Sequence, residues 1–424
     1  MTFVSRLAMA AVLTLGATTL AAAPAAAQKN DKKAQPAAPQ LKVSEEFRKA
    51  AAAAEVSVKA KDWANVEPNL AAAEAVAKND DEKYFAAFLR LQTELGRNNE
   101  EGQLKALSAL IANPKTPPEA LKIYNPAFNY MLGVRASKTN KNAEVIQYML
   151  KAREYGSKEP DVAVLLANAY SATGRPADAI AEVERAIEMS QTAGRKPPES
   201  WYQFVIPKVN ATGDRAAMAS WLSRFIVEYP TIKNWHWAIQ VFRSTAPAGA
   251  NVKSERIDLY RLMRATNALP NRSDYADYAY ATQQGGLGRE AISVIDEGRK
   301  VGKIPAADAD IARIYAAAQT QVKNEGSLDG LAKQAAAAKD GKTAAQTGDA
   351  FLASGNNARA VELYDLALTK GGVNADEVNL HRGIAFQRQG QKDLARAAFG
   401  AVKPGPLANL STLYQTSLDL PPLS

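Results

Sequence analysis

The sequence predicts an all-α protein made of stacked antiparallel helical hairpins. From Ser44 onward it alternates helix-length segments with short turns, and no window shows the β-branched alternation of a half-buried strand. Near the C-terminus one pattern of small and aromatic residues occurs twice, and a repeat of this period is typical of stacked helical units. The first copy, Gly348, Phe351, Gly355, Ala360 and Tyr364, is matched 35 positions later by Gly383, Phe386, Gly390, Ala395 and Phe399.

The first 27 residues have the pattern of a secretory signal. Arg6 supplies the positive charge, residues 7–20 form the apolar stretch, and Ala25, Ala26 and Ala27 offer a small-residue cleavage site. We expect this segment to be removed on export, although the same pattern also fits an uncleaved N-terminal anchor. No later segment reaches the length of a transmembrane helix, so we expect no membrane span after cleavage. The alanine-rich leader and the absence of cysteine favour the periplasm of a Gram-negative bacterium, or secretion from it.

The composition limits the kinds of functional site and partner that we expect. The chain has no cysteine, which excludes disulfides, thiolate metal sites and a cysteine nucleophile. Its net charge of +8 is spread along the sequence and forms no basic stripe with interleaved aromatic residues, so nucleic acid is not an expected partner. A diffuse positive field fits an ordinary protein surface, and it also suits contact with an anionic cell-wall polymer.

The order of helical and irregular segments predicts the domain organisation. Ser44 followed by two glutamates is typical of a helix start. The stretch 245–253 contains Gly and Pro, which interrupt the helical pattern and separate two arrays. The last residues are too few for another hairpin, but 407–418 can form one capping helix. The predicted segments are a signal peptide (1–27), a flexible linker (28–43), an N-terminal helical array (44–243), a C-terminal array (254–403) and a C-terminal cap (404–424).

Several segments share one arrangement of small, large and aromatic positions. The clearest has Leu166-Ala167-x-x-Tyr170, then Gly174, then Ala179, Val183 and Ala186. This arrangement, like the two copies at 348–364 and 383–399, resembles the tetratricopeptide repeat (TPR), and 279–298 gives a further match. The family's aromatic residue at the fourth position is replaced by alanine at 163 and 344. The resemblance implies a TPR-like α-solenoid with room for roughly 10 or 11 hairpins, fewer where 326–341 is irregular.

The same resemblance implies which side chains face a partner. In the family the first helices of the hairpins line the concave side, and a rigid concave array is a recognition surface. We expect polar side chains at these positions to hydrogen-bond a peptide backbone or to pair with its charges. The matching residues are Asn168, Ser171, Lys342, Asp349, Gln387 and Arg388.

Aromatic residues cluster in the middle of the chain. Four of the five tryptophans, Trp201, Trp221, Trp235 and Trp237, lie within 37 residues. Residues two positions apart on a helix point to different sides, so Trp235 and Trp237 cannot both face one core. One of these two rings is therefore a candidate anchor for a partner, while packing in the core of poorly repeating hairpins explains the same cluster.

No residue pattern indicates catalysis, a metal or a cofactor. The two histidines, His236 and His381, are far apart in sequence, and we expect both to be unliganded, with His381 on a helix surface. The run Gly285-Gly286-Leu287-Gly288 lies between two helical segments and follows no strand, so we interpret it as a turn and not as a phosphate loop. Asp308 and Asp310 follow a proline at a helix start, where acidic residues act as caps.

We therefore expect a non-catalytic TPR scaffold that binds a protein or peptide in the periplasm, during assembly or maintenance of the cell envelope. The alternative is a protein that binds peptidoglycan or exopolysaccharide, with rings near Trp235 stacked on sugars and the net positive charge facing an anionic polymer. A murein-cleaving enzyme with the solenoid as a clamp fits less well, because no stretch outside the repeats is long enough for a catalytic domain.

Overall fold

The computed structural model describes residues 41–245 and 252–420. The predicted signal peptide and residues 28–40 of the predicted linker lie outside the described residues, as do 246–251 and the last four residues. Within the described ranges the regular secondary structure is helical, which confirms the all-α prediction. None of these helices is both long enough and apolar enough to cross a bilayer. The chain divides between Pro197 and Pro198 into two compact units, called unit 1 and unit 2 below.

The described part of unit 1 consists of eight helices that pack as four antiparallel hairpins. The first helix begins after Ser44 as predicted, because the Ser44 hydroxyl accepts a hydrogen bond from the amide of Phe47. Buried side chains around Phe85 and Leu107 form a core shared by the first three hairpins. The helices are α1 (Glu45–Ala60), α2 (Trp63–Val76), α3 (Asp80–Gly96), α4 (Glu100–Ala112), α5 (Pro118–Lys138), α6 (Asn142–Glu154), α7 (Pro160–Ala172) and α8 (Pro176–Thr192).

The described part of unit 2 consists of thirteen helices. Ten of them pack as five hairpins in chain order, and three do not. The helices are α9 (Glu199–Thr212), α10 (Arg215–Glu228), α11 (Ile232–Ser244), α12 (Val252–Ala265), α13 (Arg272–Gln284), α14 (Gly288–Lys300), α15 (Ala309–Glu325), α16 (Leu328–Ala337), α17 (Lys342–Ala353), α18 (Asn357–Lys370), α19 (Ala375–Arg388), α20 (Lys392–Gly400) and α21 (Pro406–Asp419).

Three helices of unit 2 depart from the hairpin pattern. Helix α15 packs on α13 and α14, whereas α16 packs on α17 and α18, so these sequence neighbours do not form a hairpin of their own. This irregularity lies at 326–341, where the sequence predicted one. Helix α21 coincides with the predicted capping helix, but it does not lie at a free end of the array. It packs on α19 and α20 and also on α10 and α12, near the start of unit 2. Unit 2 is therefore closed on itself.

The 35-residue repeat corresponds to one contact that is made in two hairpins. Gly348 in α17 lies so close to the ring of Tyr364 that an added Cβ would be 2.6 Å from it. Gly383 in α19 lies in the same way against Phe399, where the added Cβ would be 2.4 Å from the ring. The turn glycine of the second copy, Gly390, has a φ of +74°, which glycine adopts without strain. Each copy thus combines a glycine under a ring with a glycine at the turn.

The boundary between the units differs from the predicted separation at 245–253. Helices α11 and α12 flank that stretch, and they pack against each other within unit 2. The boundary instead lies at two consecutive prolines, Pro197 and Pro198, just after Gly194 with a φ of +66°. A Pro-Pro pair after a left-handed glycine interrupts the helical pattern at least as strongly as the predicted stretch does.

Candidate partner-binding surfaces

Unit 1 has an open groove over α3, between α2 and α4. The cavity has a volume of about 610 Å³. Its floor consists of small side chains, which leave the space between the two flanking helices open, and charged side chains from all three helices form its rim. The floor residues are Ala77, Ala86, Ala87 and Ala106, with the buried Glu94 beside them, and the residues at the edge are Ala109, Glu74, Lys83, Arg90, Glu101 and Lys105.

Arg90 is the centre of the ionic contacts in this groove. Its guanidinium donates to Glu67 at 2.7 Å, to Glu74 at 2.9 Å and to Glu94 at 3.2 Å. Arg97 donates to the same Glu67 at 2.7 Å. The hydrogen bond from Arg90 lowers the pKa of Glu67 below its usual value. Because the Glu67 side chain is 48% exposed, water screens these pairs.

A second groove lies between α4 and α5. It has a volume of about 460 Å³ and a more apolar lining, to which Leu104, Phe128 and Leu132 contribute. Glu101 and Lys105 of α4 border both grooves. Helix α4 is therefore a ridge with accessible space on two sides.

Unit 2 contains six alternating charges in a row, called the charge ring because its last member donates to the carbonyl oxygen of Leu352, in the helix that carries its first member. Its members come from α12, α14, α17 and α19, which are distant in sequence, and each member contacts the next within 3.3 Å. In order they are Asp349, His381, Asp258, Arg261, Glu290 and Arg388.

His381 joins two carboxylates of the charge ring. Its Nδ1 lies 2.7 Å from Asp349 and its Nε2 lies 3.3 Å from Asp258. Burial by itself lowers the pKa of His381, but the two carboxylates outweigh burial and raise the pKa to about 10. The imidazole is therefore a charged donor from both nitrogens at neutral pH. Tyr364 also donates to Asp349, at 2.7 Å.

Glu290 accepts hydrogen bonds from two arginines. Arg261 donates to Glu290 at 2.6 Å and to Asp258 at 2.9 Å. Arg388 donates to Glu290 at 3.0 Å and to the carbonyl oxygen of Leu352 at 3.0 Å. Burial raises the pKa of Glu290, but the two guanidinium groups outweigh burial and hold the pKa far below its usual range. Because Leu352 belongs to α17, the ring closes on the helix where it began.

Three of the predicted partner-binding residues lie at the surface. Asn168 and Lys342 are exposed, and Ser171 is half-buried. Their role in binding stays a prediction, and neither Asn168 nor Ser171 lines the grooves beside α4.

The other polar candidates make contacts within unit 2. Asp349 and Arg388 belong to the charge ring, with side chains 32% and 23% exposed. Gln387 donates to the hydroxyl of Ser417 in α21 at 2.8 Å. These three residues already have partners inside the chain, so a binding partner must compete with contacts that unit 2 makes with itself.

The two tryptophans of α11 point to different sides, as their spacing predicted. Trp235 is buried in the core of unit 2 with 1% of its surface exposed, which corrects its assignment as a candidate anchor for a partner or a sugar. It shares the buried face of α11 with Ile239 and Phe242. Trp237 is half-buried and packs edge-on against Phe225, with ring centroids 5.4 Å apart. The cluster is therefore mainly a packing feature.

The remaining sequence signals have structural roles. Gly286 has a φ of +81° in the predicted turn, and Asp308 caps α15 by accepting the amide of Ile311 at 3.2 Å. Across residues 41–245 and 252–420 no group of three or more His, Asp or Glu side chains is placed to hold a metal ion. His236 pairs with Asp274 at 3.1 Å. The prediction of a surface position for His381 is wrong, because the charge ring buries it.

Sequence reasoning missed the centre of the charge ring. Asp258 and Arg261 interrupt the apolar run 257–263, and their i, i+3 spacing places them on one face of a helix. Charged residues are seldom buried unless they are paired, so this run was a usable signal for a buried ionic contact. Glu290 carried no comparable signal, because it lies in a first helical turn, where acidic residues are common.

Comparisons with known proteins return repeat proteins. No family model matches the chain, and no curated protein matches it. Similar solved structures include a tetratricopeptide repeat protein from Parabacteroides merdae, with 12% identity, a TM-score of 0.27 and coverage of 61% of this chain and 99% of that one. The P58(IPK) TPR domain has 11% identity, a TM-score of 0.25 and coverage of 88% and 98%. At TM-scores this low, these likenesses carry no argument of their own. The TPR-like fold of this chain rests on the packed helical hairpins of its two units.

Proposed function

We propose that this TPR-like chain is a non-catalytic scaffold that binds a protein or peptide partner through unit 1, with α4 at the centre of the interface. The observation that supports this proposal is the pair of open grooves beside α4, with volumes of about 610 Å³ and 460 Å³. Cavities of several hundred Å³ are large enough to bury groups of a bound ligand. Because the two grooves share the α4 ridge, one extended partner segment can occupy both.

The lining of the grooves defines the partner segment that fits. The alanine floor of the first groove allows a helix or strand to approach the backbone closely. The second groove offers Phe128 and Leu132 to an apolar side chain. Lys83, Glu101 and Lys105 place both signs of charge along the first rim. A segment with a few apolar anchors between alternating acidic and basic residues is therefore complementary to this surface.

Site-specific crosslinking in intact cells tests this proposal. Ala109 lines the first groove and is exposed, whereas Ala143 in α6 is exposed and lines neither groove. We expect a photo-crosslinking amino acid at position 109 to capture a protein that the same residue at position 143 does not capture. In a second experiment the photo-crosslinking residue is placed at a neighbouring position of the groove. There Ala109→Trp should reduce capture of the partner at least tenfold, and Ala143→Trp should leave capture unchanged. Equal capture at both positions would contradict the proposal.

We also propose that the chain acts in the periplasm, in assembly or maintenance of the cell envelope. The signal-like pattern of residues 1–27 and the absence of cysteine support this address. We expect protein isolated from the periplasmic fraction to begin at Gln28. Recovery of the full-length chain from the cytoplasmic fraction would overturn this part of the proposal.

The polymer-binding alternative loses one of the rings that suggested it, because Trp235 is buried, whereas Trp237 is half-buried. A sedimentation experiment with isolated peptidoglycan separates the two functions. We expect the chain to stay in the supernatant at low salt. Salt-sensitive sedimentation would instead favour binding to an anionic polymer.

A further inference from the structure

Helix α21 covers an apolar surface of unit 2 without belonging to a hairpin. It packs on α10 and α12, which precede it by many helices, as well as on α19 and α20. Its buried apolar side chains follow the i, i+3, i+4, i+8 spacing of one helix face. They are Leu410, Leu413, Tyr414 and Leu418. A single helix in this position binds as a peptide helix binds in a groove.

Side-chain hydrogen bonds tie α21 to three different helices. The hydroxyl of Tyr414 donates to the carbonyl oxygen of Asp258 in α12 at 2.6 Å. The hydroxyl of Thr416 forms a hydrogen bond with the hydroxyl of Ser223 in α10, with the two oxygens 2.9 Å apart. Ser417 accepts a hydrogen bond from the side-chain amide of Gln387 in α19, one of the residues expected to face a partner. The bonds to Asp258 and Ser223 connect α21 with helices that it reaches only when the array closes.

We propose that α21 is a latch that holds unit 2 in a closed, self-occupied state, and that its release exposes a helix-binding surface on α10, α12 and α19. The charge ring supports the same closure from the inside, because it joins α12 to α14 and α19. The occupant that fits the exposed surface is a helix with the apolar spacing of α21. This inference concerns unit 2 alone, so it does not depend on the grooves of unit 1.

A disulfide lock tests whether release of α21 is required. The chain has no cysteine, so a Ser223→Cys/Thr416→Cys variant contains one possible disulfide, at a site where the two hydroxyl oxygens are 2.9 Å apart. The probe is a fluorescent synthetic peptide with the sequence of residues 406–420, added to the full chain. We expect the oxidised variant to bind no peptide and the reduced variant to bind it. Equal binding by both forms would overturn the latch.

A matched pair of threonine variants tests the strength of the latch. Thr412 and Thr416 both donate to the carbonyl oxygen four residues earlier in α21, but only Thr416 reaches α10. Loss of one hydrogen bond costs about 1 kcal/mol, which corresponds to roughly a fivefold change in an equilibrium. We expect Thr416→Ala to increase amide exchange in α21 and peptide affinity about fivefold, and Thr412→Ala to change neither by more than about twofold. Indistinguishable variants would contradict the proposal.

Discussion

Unit 1 and unit 2 use the same ionic contact in opposite surroundings. Glu67 in unit 1 and Glu290 in unit 2 each accept hydrogen bonds from two arginines. The Glu67 side chain is 48% exposed, whereas that of Glu290 is 1% exposed in the interior of unit 2. Water solvates Glu67, so its charge stays available to a partner. Arg261 and Glu290 are cut off from water, with 2% and 1% of their side chains exposed, so their charges must be satisfied within the cluster. Exposure thus separates a surface suited to binding from one that holds a unit closed.

The largest effect is expected from Glu290→Gln. The substitution keeps the size of the side chain but leaves the buried Arg261 and the part-exposed Arg388 with one carboxylate fewer. We expect the free energy of unfolding of unit 2 to fall by about 3–5 kcal/mol. Urea unfolding followed by tryptophan fluorescence measures it, because four of the five tryptophans lie in unit 2. Glu362→Gln, at an ion pair of which Glu362 is 59% exposed, is the control and should cost less than about 1 kcal/mol. Equal losses of unfolding free energy in the two variants would show that burial does not distinguish the Glu290 cluster from an exposed ion pair.

The next effect expected is a dependence of the stability of unit 2 on pH. The pKa of His381 is about 10 in the folded chain, above the value of about 6.5 expected when it is unfolded. Its contribution to stability is therefore fully present below about pH 6.5 and is lost as the pH rises toward about 10. Asp258 and Asp349 face the ring nitrogens, and burial raises the pKa of Tyr364, so this hydroxyl stays neutral across the window. We expect His381→Gln to flatten the loss of stability between pH 7 and about 10 in urea titrations. A parallel loss in both proteins would place its source outside the charge ring.

The helices and turns were predictable because their causes are local. Gly383 contacts Phe399, 16 positions later in the same hairpin, and Gly348 contacts Tyr364 at the same spacing. The sequence therefore shows this pair of residues twice. The charge ring was not predictable in the same way, because Asp258 and His381 are 123 positions apart and meet only when unit 2 closes. Trp235 shows the converse, since helix periodicity indicates that two rings diverge but not which of them faces the core. The 35-residue repeat therefore predicts hairpins, but it does not predict that the last helix of unit 2 packs against helices near its start.

Gly383→Ala should weaken unit 2 by a smaller amount. The added methyl group would lie 2.4 Å from the ring of Phe399, so the ring or the helix must shift, at a cost of about 1–3 kcal/mol. Gly400→Ala is the matched control, because nothing lies within 4 Å of its added Cβ. We expect the control to be neutral or slightly stabilising in thermal unfolding. If Gly383→Ala left thermal unfolding unchanged, the contact with Phe399 would not explain why glycine recurs at this position of the repeat.

The smallest effect is expected from Glu67→Gln, the counterpart of Glu290→Gln in unit 1. Arg90 keeps Glu74 and Glu94 as partners, and water solvates Arg97, which is itself part-exposed. We expect the free energy of unfolding to fall by less than about 1 kcal/mol at low ionic strength. The loss should be smaller still near 1 M salt, where the Debye length is only about 3 Å. Unit 1 holds only Trp63, so amide exchange in α3 is the better measurement than fluorescence. A salt-independent cost close to that of Glu290→Gln would mean that the ion pairs of Glu67 behave as a second buried cluster and not as a solvated one.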